Sequence, residues 1–205
     1  MKKTKKVILT GFEPFGGEDI NPALEVIKAL NIEDIPSINL ISLQLPVVFR
    51  KAYKILIESI EKEKPDMVLS IGQAGGRNTI SIERLGINLE DARIADNEGN
   101  TPKDELIEKN GPAAYFTTID IRKTELALKE AGIPVIVSNS AGLYVCNDII
   151  YGTLHFLASI KSFVKYGFIH VPFLPEQVAP KSKDIASMSL DMIKEAIRIT
   201  ILINL

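Results

Sequence analysis

The strongest constraint on this chain is its repeated alternation of short apolar, β-branched runs with segments of helical apolar spacing. Val7–Thr10 stops at Gly11, and the glycine-rich turn Gly11–Gly17 follows. Asn21-Pro22 then reads as an N-cap and first helical position opening a helix through about Leu30. Ser37–Leu45 alternates as a second strand. Val47–Glu63 carries Val48, Ala52, Ile55, Leu56 and Ile60 at helical spacing until Pro65-Asp66 breaks it. Met67–Ile71 is a compact strand ending in Gly72–Gly76, and Ile80–Leu89 alternates as another. The polar stretch Glu90–Asn110, with Gly99 and Pro102, reads as a long functional excursion. Asp120–Ala131 is a helix closed by Gly132, with Pro134 just beyond. Val135–Val137 is a strand, a helix runs from about Tyr144 to Ser162, Phe168–Val171 is a strand, and a last helix covers roughly Ser182–Ile203. Strands alternating with helices predict an α/β fold with a largely parallel sheet.

Composition bounds the function. The 205 residues suit one domain with a full core, and no repeat, low-complexity run or linker divides residues 1–205. A net charge of −2 argues against nucleic acid, which normally needs a basic stripe. The one cysteine cannot form an intrachain disulfide, which fits a reducing cytoplasm. The basic start Met1–Lys6 superficially resembles a signal-peptide lead, but Val7–Leu9 is far too short for the apolar region that would follow. The start reads as a solvated lead into the first strand. No stretch approaches a membrane span. The apolar end Ile199–Leu205 reads as packed helix end or interface.

In open α/β sheets ligands gather at the carboxyl ends of strands. Gly11–Gly17, Gly72–Arg77, Ser138–Cys146 and His170–Pro172 all follow or end strands, so all four are expected to converge on one edge. Cys146 falls where a strand should give way to a helix. A helix N-terminus lowers a thiol's pKa and presents N–H groups to an oxyanion. A small buried core residue is the competing reading, and position alone leaves the two level. Of the two histidines, His155 lies nine residues along the helix from Cys146, about 13–14 Å, so His170 is the candidate base. A hydrogen-bonded core histidine is its alternative. Glu83, in Ser81-Ile-Glu-Arg-Leu85, is the best carboxylate to orient an imidazole. Its own sequence context favours a surface carboxylate paired with Arg84. One cysteine and two distant histidines give no zinc spacing, and Gly72-Gln-Ala-Gly-Gly-Arg77 lacks a phosphate-binding pattern, so neither a metal nor a cofactor is expected.

Six segments in order resemble one family: Gly11-Phe-Glu-Pro-Phe-Gly-Gly17, Gly72-Gln-Ala-Gly-Gly-Arg77, Ile82-Glu-Arg84, Asp91-Ala-Arg-Ile-Ala-Asp-Asn97, Asn139-Ser-Ala-Gly-Leu-Tyr-Val-Cys-Asn147 and Gly167-Phe-Ile-His-Val-Pro172. The chain is similar from about Val7 to Leu190 to pyroglutamyl peptidase type I, a family of cysteine peptidases. The resemblance implies a Cys146–His170–Glu83 triad acting by two-step acyl transfer, which overturns the surface reading of Glu83. It implies that Phe12 and Phe15 flank a five-membered lactam and that Arg93 lies near the oxyanion region. Gln73 and Asn21 offer amides to the lactam's N–H and C=O, although Asn21 reads equally as a helix cap. The resemblance also implies a homotetramer. Leu143, Asp148 and Gly86 depart from the family pattern. Asp148 is expected to disfavour the thiolate if it points at Cys146.

The expectation is therefore a single-domain, three-layer α/β/α sandwich with a largely parallel, mixed central sheet. Its activity is that of a cytoplasmic cysteine exopeptidase acting on peptides with N-terminal pyroglutamate. Another thiol-dependent small-amide hydrolase and a catalytically silent ligand-binding homologue are the rivals. Nucleoside or phosphate chemistry on a related architecture stands third, without a motif to support it.

Overall fold

Apolar side chains alternate along the strands, and that alternation sorts them onto two faces of one sheet. A computed structural model of the chain describes residues 4–30, 35 and 37–205; residues 1–3 of the basic lead lie outside the described residues. The strands are β1 (Lys5–Phe12), β2 (Ile38–Leu45), β3 (Met67–Gln73), β4 (Ile80–Glu83), β5 (Leu85–Ile87), β6 (Ala114–Phe116), β7 (Val135–Ser138) and β8 (Lys165–Val171). The helices are α1 (Pro22–Leu30), α2 (Lys51–Glu63), α3 (Ile121–Glu130), α4 (Val145–Ser159), α5 (Pro175–Val178) and α6 (Leu190–Asn204). Six strands form the central sheet in the order β2-β1-β3-β8-β4-β7. β1, β2, β3 and β8 run parallel, while β4 is antiparallel to β8 and parallel to β7.

Period-two side-chain alternation makes the layers. Val7, Leu9, Met67, Leu69, Ile71, Ile80, Ile82, Ile169 and Val171 face one way, into a core with α1, α3 and α6. Ile8, Phe12, Val68, Tyr166 and Phe168 face the other way, against α2 and α4. This is the α/β/α sandwich with a mixed sheet. Ser81, Glu83 and His170 share the parity of the second face, so the strand register alone sends the polar site residues toward α4.

Local chemistry sets the boundaries. The predicted strand Ile80–Leu89 breaks at Arg84, whose N–H donates to Ser138 O while its carbonyl accepts from Thr117. Beyond it β5 leaves the main sheet and pairs with β6, a three-residue strand too short to read from sequence. The predicted helix from Val47 starts at Lys51. The Val47 amide is taken by Glu13 Oε1, and Arg50 sits in the left-handed region at φ 60°. The last helix starts at Leu190 instead of Ser182, capped by Ser189, whose side chain accepts from Met192 N–H. The preceding segment is held extended by a bridge between Phe173 and Ser187. Gly86, where the family pattern favours alanine, has its reason in packing. A Cβ there would lie 2.7 Å from the backbone nitrogen of Tyr151, because α4 lies directly on β5.

Candidate active site

Cys146 is the second residue of α4. Tyr144, in extended backbone, precedes the helix without a side-chain cap, so its first amides are not consumed by a capping side chain. Gly72, at the carboxyl end of β3, makes room for the thiol: a Cβ on it would lie 3.1 Å from Cys146 Sγ and 2.7 Å from the Phe168 ring. The four glycine-, serine- and histidine-bearing segments do meet, but not all by the route expected. β7 runs opposite to β8, and Ser138 stands in register with Glu83, part-way along the sheet. Residues 139–144 carry the chain from there to the edge where Gly72 is paired with His170. Burial, then the charge of Glu83, push the Cys146 thiol up to about 12, with Arg77 pulling the other way.

His170 is buried on β8, and its Nδ1 lies 2.7 Å from Glu83 Oε1. The Phe168 ring packs edge-on against the imidazole, 4.9 Å between centroids. Glu83 is fully buried, and its partners besides His170 include Ser138 and Arg77, the latter Nη1 to Oε1 at 2.9 Å. Arg84 turns instead to Asn139, so the surface Glu83–Arg84 pair suggested by local sequence is not formed. Burial pushes the Glu83 carboxyl up, but the hydrogen bond and charge of His170, with Ser138 and Arg77, outweigh it and hold the group below the ordinary glutamate value. His155 lies elsewhere, with Nδ1 3.1 Å from Tyr115 Oη.

A cleft of about 720 Å³ opens onto Cys146 and His170, walled in part by Phe15, Gln73, Arg77, Arg93 and Phe173. Next to Cys146 lies a small inner pocket of about 10 Å³, lined by Phe12, Phe15, Asn21, Val47, Gln73, Tyr144 and Val145. Four of the five residues expected at a lactam site therefore surround one pocket, and Arg93 stands apart in the outer cleft, exposed. Asn21 does act as a cap: its Oδ1 accepts from Ala23 N–H, and its Nδ2 donates to Glu13 O. It also borders the inner pocket, so the two readings coexist.

The excursion Glu90–Asn110 supplies a cleft wall through Asp91, Arg93 and Ile94. The Asp96 carboxylate organises it by accepting from the amides of Phe49, Glu98 and Asn100. Sequence reasoning missed Tyr144, which borders both cavities and donates from its hydroxyl to Ala95 O. It also missed Arg77, although both residues sat inside motifs already singled out. Asp148 does not point at Cys146: its Oδ2 accepts from Arg50 N–H, and it shares a hydrogen bond with Glu90. Burial first, and then Glu90, raise its pKa well above the ordinary aspartate value and favour the neutral acid. Among the described residues, no cluster of three or more His, Cys, Asp or Glu is placed to hold a metal ion, and no helix is long and apolar enough to cross a membrane.

A thiol at a helix N-terminus, an imidazole held by a buried carboxylate and a shared cleft on an α/β sandwich make a constellation suited to thiol acyl transfer. The family model described as pyroglutamyl peptidase matches residues 5–205. A pyrrolidone-carboxylate peptidase of Bacillus cereus is 51% identical over 197 residues, covering 96% of this chain and 91% of the relative. One from Treponema denticola is 51% identical over 199 residues, with the same coverage. Among solved structures, the pyroglutamyl peptidase I from Bacillus amyloliquefaciens superposes with a TM-score of 0.92 at 45% identity, covering 98% of this chain and 94% of that one. A mutant pyrrolidone carboxyl peptidase from Pyrococcus furiosus matches equally well, at TM-score 0.92 and 45% identity over 97% of each chain. The chain belongs to the pyroglutamyl peptidase family.

Proposed function

We propose that this chain is a cysteine exopeptidase that hydrolyses the amide bond after an N-terminal pyroglutamyl residue. Residues 1–205 act as one catalytic domain. The observation that carries the reading is the 2.7 Å contact of His170 Nδ1 with buried Glu83, in the same cleft as Cys146. With Nδ1–H donated to Glu83, the imidazole's Nε2 is left as the base.

The burial-raised thiol argues for a resting neutral Cys146 rather than a standing ion pair. Proton transfer from Sγ to His170 Nε2 then accompanies attack on the pyroglutamyl carbonyl, forming the C–S bond. The Cys146 backbone N–H stabilises the oxyanion, while Arg93 lines the outer cleft. His170 returns the proton to the leaving amine as the C–N bond breaks, leaving a thioester. Water, deprotonated by His170, adds to the thioester; the thiol leaves and 5-oxoproline is released. Phe12, Phe15 and Val47 give the lactam apolar walls, and Gln73 and Asn21 give it neutral polar partners. The inner pocket is water-sized, so its lining must yield for the ring to enter.

A homotetramer working in the cytoplasm completes the proposal. Exposed Phe116, Phe163, Leu202 and Ile203 offer apolar surface for subunit contact, and Cys146 is the one cysteine, so a covalent link would consume the nucleophile. Light scattering of the purified protein tests the assembly. Activity is tested by release of a fluorescent amine from a pyroglutamyl amide beside a prolyl amide, with Cys146→Ser as control. Selective turnover lost in the mutant supports the reading. A folded, reduced protein that binds a pyroglutamyl aldehyde without turning over the amide is instead a silent binding homologue.

A further inference from the structure

We infer that Gln177, on α5 and outside the cleft, is a positioning residue that fixes the Gln73 side-chain amide so that its NH₂ group, and not its oxygen, faces the pocket. The inference rests on the proposed pyroglutamyl reading and deepens it.

The orientation follows from a chain of unambiguous partners. Gln177 is buried. Its Oε1 accepts from the backbone N–H of Leu174 at 3.0 Å, a group that only donates. Its Nε2 therefore lies on the other side, where it meets the carbonyl of Ile20 at 3.2 Å and the Glu18 carboxylate at 3.2 Å, groups that only accept. Lys181 holds the other Glu18 oxygen in an ion pair. The same Nε2 lies 3.0 Å from the Gln73 amide, the shortest of its three contacts; its two N–H groups are shared among three acceptors, and the Gln73 atom turned toward it is Oε1. The two N–H donors of Gln73 are left for the pocket that it borders beside Cys146. A donor pair selects a ring carbonyl oxygen. Pyroglutamate carries one, and proline, otherwise the same ring, does not. Gln177 thus helps set discrimination between these rings without touching either of them.

The test compares inhibition by the aldehydes of pyroglutamate and of proline. Gln177→Leu is expected to weaken the pyroglutamyl aldehyde by about tenfold, the scale of one well-placed hydrogen bond, while the prolyl aldehyde changes by less than about twofold. Pyroglutamyl amide turnover should show the loss mainly in KM. In a Gln73→Leu background, Gln177→Leu should add less than about twofold, because the two residues act as one unit. A second variant guards against simple loosening of α5. Lys181→Met removes the ion pair with Glu18 that ties this segment down but leaves the Gln177–Gln73 contact in place. It should keep the ratio of pyroglutamyl to prolyl aldehyde inhibition within about twofold of wild type, whereas a ratio that falls as far as in Gln177→Leu assigns the effect to loosening and overturns the inference. Equal losses for both aldehydes, or full additivity with Gln73→Leu, overturn the inference. A wild-type protein that leaves pyroglutamyl amides intact overturns the functional reading instead, which separates the two failures.

Discussion

Gly72 and Cys146 meet across a gap that one methyl group would fill: a Cβ on Gly72 would stand 3.1 Å from Sγ and 2.7 Å from the Phe168 ring. Gly72→Ala must push the thiol or the ring aside. The expected outcome is a fall in kcat/KM on a pyroglutamyl amide of about 10²-fold, as for a reacting atom displaced by about 1 Å. The overpacking cost to stability is about 1–3 kcal/mol, read by urea unfolding. A fully active variant would mean that Sγ sits elsewhere in the working enzyme.

The free thiol should be sluggish. With burial lifting the Cys146 pKa to about 12, the thiolate fraction grows about tenfold per pH unit across the neutral range. Alkylation of the substrate-free protein by iodoacetamide should therefore climb steadily from pH 7 to pH 9. A rate that plateaus below neutral pH would reveal a standing thiolate–imidazolium pair and remove the concerted proton transfer proposed above.

Arg77 reaches Glu83 Oε1 at 2.9 Å and helps hold that carboxyl below its ordinary value. A carboxyl depressed in the folded state contributes stability that is present above its unfolded pKa and lost as pH falls through the folded pKa. Arg77→Met raises the folded value, so both the acid limb of kcat/KM and the onset of acid unfolding should move to higher pH. Activity is expected to fall by a larger factor at pH 5 than at pH 8. A uniform loss at both pH values would assign Arg77 to substrate contact instead.

Asp148 has the opposite sign. Its folded pKa is raised, so relative to the unfolded chain it costs stability increasingly as pH rises from the ordinary aspartate value toward the raised one. Asparagine keeps both contacts, accepting from Arg50 N–H and donating to Glu90. Asp148→Asn should match wild type near pH 4 and melt about 2–4 °C higher at pH 8, the response of a domain this size to about 1 kcal/mol. The pH–rate profile should not move. A shifted profile would restore a direct influence of Asp148 on the thiol.

The layers and the triad candidates were legible because they follow from local pattern: period-two runs, glycine-terminated strands, and a resemblance carried by contiguous motifs. The break at Arg84 was not, because nothing in the alternation of Ile80–Leu89 marks where the chain changes sheets. The burial of Glu83 was hidden for a related reason. Its neighbour Arg84 suggested a local ion pair, whereas the true partner Arg77 comes from the turn before β4. Asp148 read as a threat to Cys146 from its place two residues on. Along an α-helix, however, that separation turns a side chain to a different face, and here it faces Arg50 and Glu90. Gln177 carried no signal, since its role exists only where α5 meets the end of β3.

The sheet also works as a partition wall. His170, Glu83 and Phe168 project from it toward α4, while Ile169, Ile82 and Ile80 project from the same strands toward the opposite layer. The proton-handling residues thus occupy one storey of the molecule, and the part of the floor below built from α3 and α6 carries weight without carrying protons. Redesign aimed at heat tolerance has its freest ground there: the side chains of that storey can be exchanged for others of equal volume while the backbone that aims the imidazole keeps its register.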